Sequence, residues 1–190
     1  MSGASEHRRA ALLLVDGIND FFDPQGPNYY PEVEATVEPI LALLRRARET
    51  GTLIVHALER HRQGLADFEW SVLPEHCYGG SFESAIFPAF APETAPREVE
   101  LYKRRFSAFF ATDLALMLRE QGVDTVVLAG VKTNVCIRAT AQDAFAHGFA
   151  VVVPREATNS NRPHLAEASL EDIARYMGRV VSLEEALELL

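Results

Sequence analysis

"LAGVKTNVCIRAT", residues 128–140, passes from an apolar stretch through a glycine and a Lys-Thr pair into a helix-like tail. With the residues before it, "TVVLAG" (125–130) is a nearly unbroken apolar run. A strand without polar alternation suits burial on both faces, the condition of a parallel sheet held between two helix layers. The turn after it has two readings, a phosphate cradle or a seat for Cys136 as nucleophile. A phosphate loop needs glycine directly before the lysine and another five residues earlier, so that backbone amides wrap the phosphates. Here Val131 precedes Lys132, and Val126 stands five residues before Val131. No strand leads into G-x-G-x-x-G either, so the pattern argues against a nucleotide.

Outward from this turn, β-rich runs alternate with helical patterns. "AALLLV" (10–15), "TLIVHAL" (52–58), "VELYK" (99–103), "FAVVVP" (149–154) and a short "RVVS" read as further strands. Helices are expected over 33–50, stopped by Gly51; after Thr112 to Gly122; over 134–147, stopped by Gly148; and over "HLAEASLEDIARYMG". Ser182 and Glu185 form a capping box for a last helix. This alternation predicts a doubly wound α/β domain, mainly parallel, with helices on both faces and a ligand site beyond the carboxyl ends of the strands. Residues 59–97 read as a long structureless span, the signature of a lid or binding segment.

The 190 residues are 48% hydrophobic, enough for one core, so a single domain over 1–190 is expected. The formal charge of −9, with scattered Lys and Arg, argues against nucleic-acid and anionic-membrane partners. No run reaches the ~18 apolar residues of a membrane span. The Arg8-Arg9 pair precedes too short an apolar run for an export signal. Cys77 and Cys136 are too far apart in sequence for a redox or metal pair, and reduced thiols in a cytoplasm are expected.

Three residues at strand ends carry chemistry. Cys136, near a helix N-terminus, is either a nucleophile favoured by the helix dipole or a buried structural cysteine. Asp16 is either an acid–base group or the cap of a turn. Lys103 is either a cation beside the thiol or a solvated lysine. None of the six histidines is placed as an evident base.

"LLLVDGINDFF" (12–22), "LYKRRFSAF" (101–109) and "LAGVKTNVCIRATAQDAFAHGF" (128–149) resemble, in order and spacing, the three signature segments of the isochorismatase-like cysteine hydrolases. The resemblance implies a doubly wound fold with a mainly parallel six-stranded sheet and a catalytic triad of Asp16, Lys103 and Cys136. It also implies a cis peptide at Val131–Lys132 and an oxyanion hole formed by the amides of Lys132 and Cys136. The family usually has a small residue where this chain has Lys132.

Members that cleave the vinyl ether of isochorismate lack the cysteine. The resemblance therefore implies an amidohydrolase cleaving a C–N bond of a small amide or ureide through a thioester, with a homodimer or homotetramer expected. The alternatives are a metal-containing nicotinamidase-like amidase and a non-catalytic α/β binding module. Glu59, His61 and His76, with Asp67 near, are of metal-ligating types. "HRQGLADFEW" (61–70), however, resembles the metal-free loop of biuret, triuret and ureidoacrylate amidohydrolases, and no metal or other cofactor is expected. Phe21, Tyr78, Phe106 and Asn159 adjoin the motifs and are the candidate substrate-binding residues. They suit a planar ureide, with a carboxylated substrate possible if Arg162 or Arg138 reaches the pocket.

Overall fold

The computed structural model describes residues 9–93 and 97–190. The arginine pair thus begins outside the described residues, as does a short part of the 59–97 span. Strands β1 (Ala10–Val15), β2 (Leu53–Glu59), β3 (Glu98–Lys103), β4 (Thr125–Val131), β5 (Ala150–Pro154), β6 (Thr158–Asn159) and β7 (Gly178–Val181) form one sheet. Its order is β3-β2-β1-β4-β5-β7, and every pairing between these strands is parallel. The six expected strands are all present. The seventh, β6, is two residues long and pairs with β4 beyond the end of the β4–β5 ladder.

Helices α1 (Asn19–Phe22), α2 (Val37–Thr50), α3 (Leu114–Glu120), α4 (Arg138–Ala146), α5 (Pro163–Tyr176) and α6 (Leu183–Leu189) complete the domain. Alternation along β1 shows how both faces are covered. Ala11, Leu13 and Val15 pack with Leu114, Leu118, Ala141, Ala144, Leu170 and Ile173 on one side. Leu12 and Leu14 pack with Ile40, Leu43, Leu44, Ala47 and Ala186 on the other. Successive strand side chains point to opposite faces, so a strand apolar at every position fills two cores.

Local differences from the sequence reading have simple causes. The helix expected from residue 33 opens as a 3-10 turn, Pro31–Thr36, because Pro31 starts the chain in helical φ with no N–H to donate. Thr112 Oγ1 accepts from the Leu114 amide at 3.4 Å and donates to Ala108 O at 2.6 Å, so α3 begins after a braced turn. The 59–97 span contains two 3-10 turns, Phe68–Ser71 and Pro88–Phe90. It is pinned across the carboxyl end of the sheet by amides of His61 to Cys77 O, Asn19 to Ala85 O and Phe87 to Gly17 O, at 2.8–3.0 Å. Among the described residues no helix is long and apolar enough to cross a membrane.

Candidate active site

Register brings the strand ends together. Val15 lies beside Ala57 on one side and Gly130 on the other, and Glu59 pairs with Lys103. Gly130 has φ +111°, and a Cβ there would lie 2.0 Å from Val15 O, so only glycine lets β4 pass this close to β1. Asp16 follows β1 in a left-handed conformation, φ 53°, which short acidic side chains tolerate. Its amide donates to Ala57 O at 2.8 Å, and its Oδ1 accepts from the Glu59 amide at 2.9 Å. Lys103 Nζ donates to Asp16 Oδ2 at 2.8 Å and lies 3.7 Å from Cys136 Sγ. All three side chains are buried.

Cys136 sits in a π-helical turn, Thr133–Ile137, that leads into α4. The Val131–Lys132 peptide before it is cis. Thr133 and Thr158 share a hydroxyl hydrogen bond of 2.8 Å, and Thr140 Oγ1 accepts from the Ala108 amide at 3.1 Å. These bonds tie the turn to β6 and to the loop after β3.

Burial and the neighbouring charges together set the protonation of the site. It pushes the Asp16 carboxyl up to about 6, with Lys103 pulling the other way. Burial pushes the Cys136 thiol well above its ordinary range, again opposed by Lys103. The helix start expected to favour a thiolate is thus outweighed, and the resting group is a thiol. Burial alone would lower Lys103, but Asp16, Cys136 and Glu59 hold it above its usual value. Burial alone would raise Glu59, but Lys103, His61 and His76 hold it well below. The resting site is therefore a thiol, a lysine cation and two carboxylates.

Cys136 opens into a cavity of about 690 Å³, with Phe21, Phe106, Lys132, Arg138 and His76 on its wall. Phe21 and Phe106 are thus on the wall of the cavity that Cys136 enters. Tyr78 and Asn159 are not on that wall. The Tyr78 hydroxyl donates to Glu75, while Asn159 Oδ1 accepts from the Tyr30 hydroxyl at 2.7 Å and its Nδ2 donates to Glu32 O at 2.6 Å. Asn159 instead fixes the ring of Tyr30. Ala139, Gln142 and Asp143 also line the cavity. The signal for them was available, since residues three, six and seven after a nucleophile at a helix start follow it down one face.

Beside the triad, Glu59, His61, Glu69 and His76 offer ligand atoms that lie within 4.8 Å of one another. Sequence reading had three of these and missed Glu69. Asp67 Oδ2 accepts from His61 Nδ1 at 2.9 Å, the orienting contact that metal-bound imidazoles usually have. Both Glu69 carboxylate oxygens are buried without a hydrogen-bond partner. Two imidazoles and two carboxylates, one of which, Glu69, lacks a hydrogen-bond donor, fit a divalent ion, although no metal was expected from the loop's resemblance.

A family model, the isochorismatase domain, matches residues 10–185. The chain belongs to the isochorismatase family. Maleamate amidohydrolase of Pseudomonas putida is 42% identical over 95% of this chain and 86% of its own length. An isochorismatase-like hydrolase structure from Alkaliphilus metalliredigens superposes with a TM-score of 0.86 at 34% identity, covering 95% of this chain and 98% of the other. A pyrazinamidase of Pyrococcus horikoshii, solved in complex with zinc, gives 0.82 at 32% identity over 92% and 99%. Close relatives of this isochorismatase-family chain are amidohydrolases, enzymes that cleave amide C–N bonds.

Proposed function

We propose that the chain is a cysteine-dependent amidohydrolase of small amides. The observation that carries this reading is the buried contact of Lys103 Nζ with both Asp16 Oδ2 and Cys136 Sγ. A thiol kept protonated by burial needs a base, and Asp16 is the carboxylate beside it. Asp16 takes the Cys136 proton as sulfur bonds to the amide carbonyl carbon. The oxyanion is received by the amides of Lys132 and Cys136. Collapse breaks the C–N bond, and the proton on Asp16 passes to the departing ammonia. Asp16 then takes a proton from water, whose oxygen displaces the Cys136 thiolate from the thioester, and returns that proton to sulfur. One amide and one water become one carboxylic acid and one ammonia. Lys103 stays cationic throughout and offsets the charge that moves between sulfur and carboxylate.

A divalent ion at Glu59, His61, Glu69 and His76, when bound, supplies a Lewis acid at the cavity wall, a reading supported by the zinc of the Pyrococcus relative. The relative that acts on maleamate supports a short acyclic amide as substrate. The ureide expectation drew on Phe21 and Phe106, which line the cavity, as well as on Tyr78 and Asn159, which do not. The relatives named N-carbamoylsarcosine amidase and ureidoacrylate amidohydrolase support a ureide as a second substrate class.

Ammonia release from a panel of amides, before and after iodoacetamide, tests the proposal. Turnover blocked by alkylation of Cys136 is the expected result. Undiminished turnover in Cys136→Ala would overturn it.

A further inference from the structure

Lys132 is the residue at which this chain leaves the usual small side chain of its resemblance, and the mechanism uses only its backbone amide. The ammonium lies 5.5 Å from the ring centroids of both Phe21 and Tyr30, within the range at which an aromatic face attracts a cation. The Tyr30 ring is held by the hydroxyl bond to Asn159. Lys132 shares the cavity wall with Cys136, as do two other basic groups. Arg138 is committed to Asp172 at 3.0 Å, and His76 stands 3.6 Å from Glu59. Among the described residues Lys132 has no carboxylate within salt-bridge distance. Asp20, the acid whose charge acts on it, lies beyond that distance, with one carboxylate oxygen taken by Asn28 at 2.8 Å and the other buried without a hydrogen-bond partner.

A half-buried ammonium on two aromatic faces, unpaired beside a nucleophile, is under-compensated. Burial lowers its pKa, and Arg162 adds to that effect while Asp20 and Cys136 oppose it. An anion entering the cavity would supply the missing charge and accept the ammonium's hydrogen bonds. Lys132 is the extended residue directly before the π-helical turn that carries Cys136, and both side chains line the same cavity. An anionic group held by the first and a carbonyl held by the second would then belong to one small molecule in that cavity.

We propose that the Lys132 side chain sets substrate specificity: its ammonium receives the carboxylate of a short carboxylated amide whose carbamoyl carbon sits at Cys136 Sγ. This rests on the amidohydrolase reading and names its substrate class, the monoamides of short dicarboxylic acids. Neutral diamides of the same length lack the anion and bind weakly.

The test has a kinetic arm and a binding arm. The ratio of kcat/KM for maleamate and succinamate over their diamides is compared in the native protein, Lys132→Met and Lys132→Arg. The ratio cancels any loss common to both substrates from disturbing the turn. It is expected to fall about 30-fold in Lys132→Met, the size of one lost hydrogen bond to a charged group, chiefly through KM. Lys132→Arg is expected to keep most of it. In the binding arm, calorimetry follows maleate, the dicarboxylate product, with Cys136→Ala and with Cys136→Ala/Lys132→Met. Kd is expected to rise about 30-fold in the double variant. If no amide is turned over yet maleate binding depends on Lys132, the amidohydrolase reading fails and the anion subsite stands. A ratio and Kd unchanged by Lys132→Met, or equal losses on acid amide and diamide, overturn the proposal.

Discussion

Asp16 Oδ2 and Lys103 Nζ meet at 2.8 Å with neither side chain reaching solvent. The pair joins the end of a central strand to the end of an edge strand, and the thiol of Cys136 lies against its cation. Removing one member of a buried ion pair leaves the other charge uncompensated. Here the loss of Lys103 strands two carboxylates, because Glu59 also depends on it.

Lys103→Met is therefore expected to lower stability by about 3–5 kcal/mol as well as to stop turnover. Adding Asp16→Asn to that variant should recover part of the stability and none of the activity. Denaturant titration of both variants checks this. Equal stability for Lys103→Met and the native protein would remove the buried-pair account.

Cys136→Ser should stay folded and lose about 10³-fold or more in kcat, because a hydroxyl beside the same carboxylate is a poorer nucleophile and leaving group. Rapid quench of the native protein should show a mass increase on the peptide carrying Cys136, equal to the acyl group. Acylation elsewhere, or none during turnover, contradicts the thioester step.

The pH profile follows from Asp16. Its folded pKa, about 6, stands above its ordinary 3.8, chiefly because of burial. Its contribution to stability is thus complete below about 3.8 and is lost as pH rises through about 6. Activity runs the other way, since only the carboxylate accepts the thiol proton. kcat/KM should rise with pH through an inflection near 6, and the rate of Cys136 alkylation by iodoacetamide should share it. A flat profile across pH 5–8 would remove Asp16 as the base.

Chelation separates the cluster at Glu59, His61, Glu69 and His76 from the triad. Zinc added to chelated protein should raise Tm, and Glu69→Gln should reduce that rise, because Glu69 is the acid left without a donor. Turnover should persist after chelation, since in the proposed steps Asp16 carries every proton that moves between Cys136, ammonia and water, and none passes through the ion. Activity that vanishes on chelation and returns with metal would make the ion part of the reaction.

The fold was legible because its signals are local. Gly51, Gly148 and the Ser182–Glu185 box mark helix ends, and β1 and β4, apolar along most of their length, cannot be half-exposed strands. Asp16, Lys103 and Cys136 were legible as candidates because strand ends in a parallel sheet all face one side. Their contact was implied by the resemblance alone and not by the residues themselves, since it depends on which strands are neighbours: Lys103 comes 87 positions after Asp16, and only the order β3-β2-β1-β4 closes that gap. The same limit explains Tyr78 and Asn159, which adjoin motifs in sequence but spend their polar atoms on Glu75, Tyr30 and Glu32. Glu69 joined the cluster only through the folding of the 59–97 segment over the sheet. Hydrophobic pattern and turn chemistry are written into neighbouring residues, so the sequence alone determined the layers. Which thiol, cation and carboxylate touch, and how far burial moves their protons, was decided by tertiary packing, because desolvation and distance exist only between surfaces the chain has already brought together.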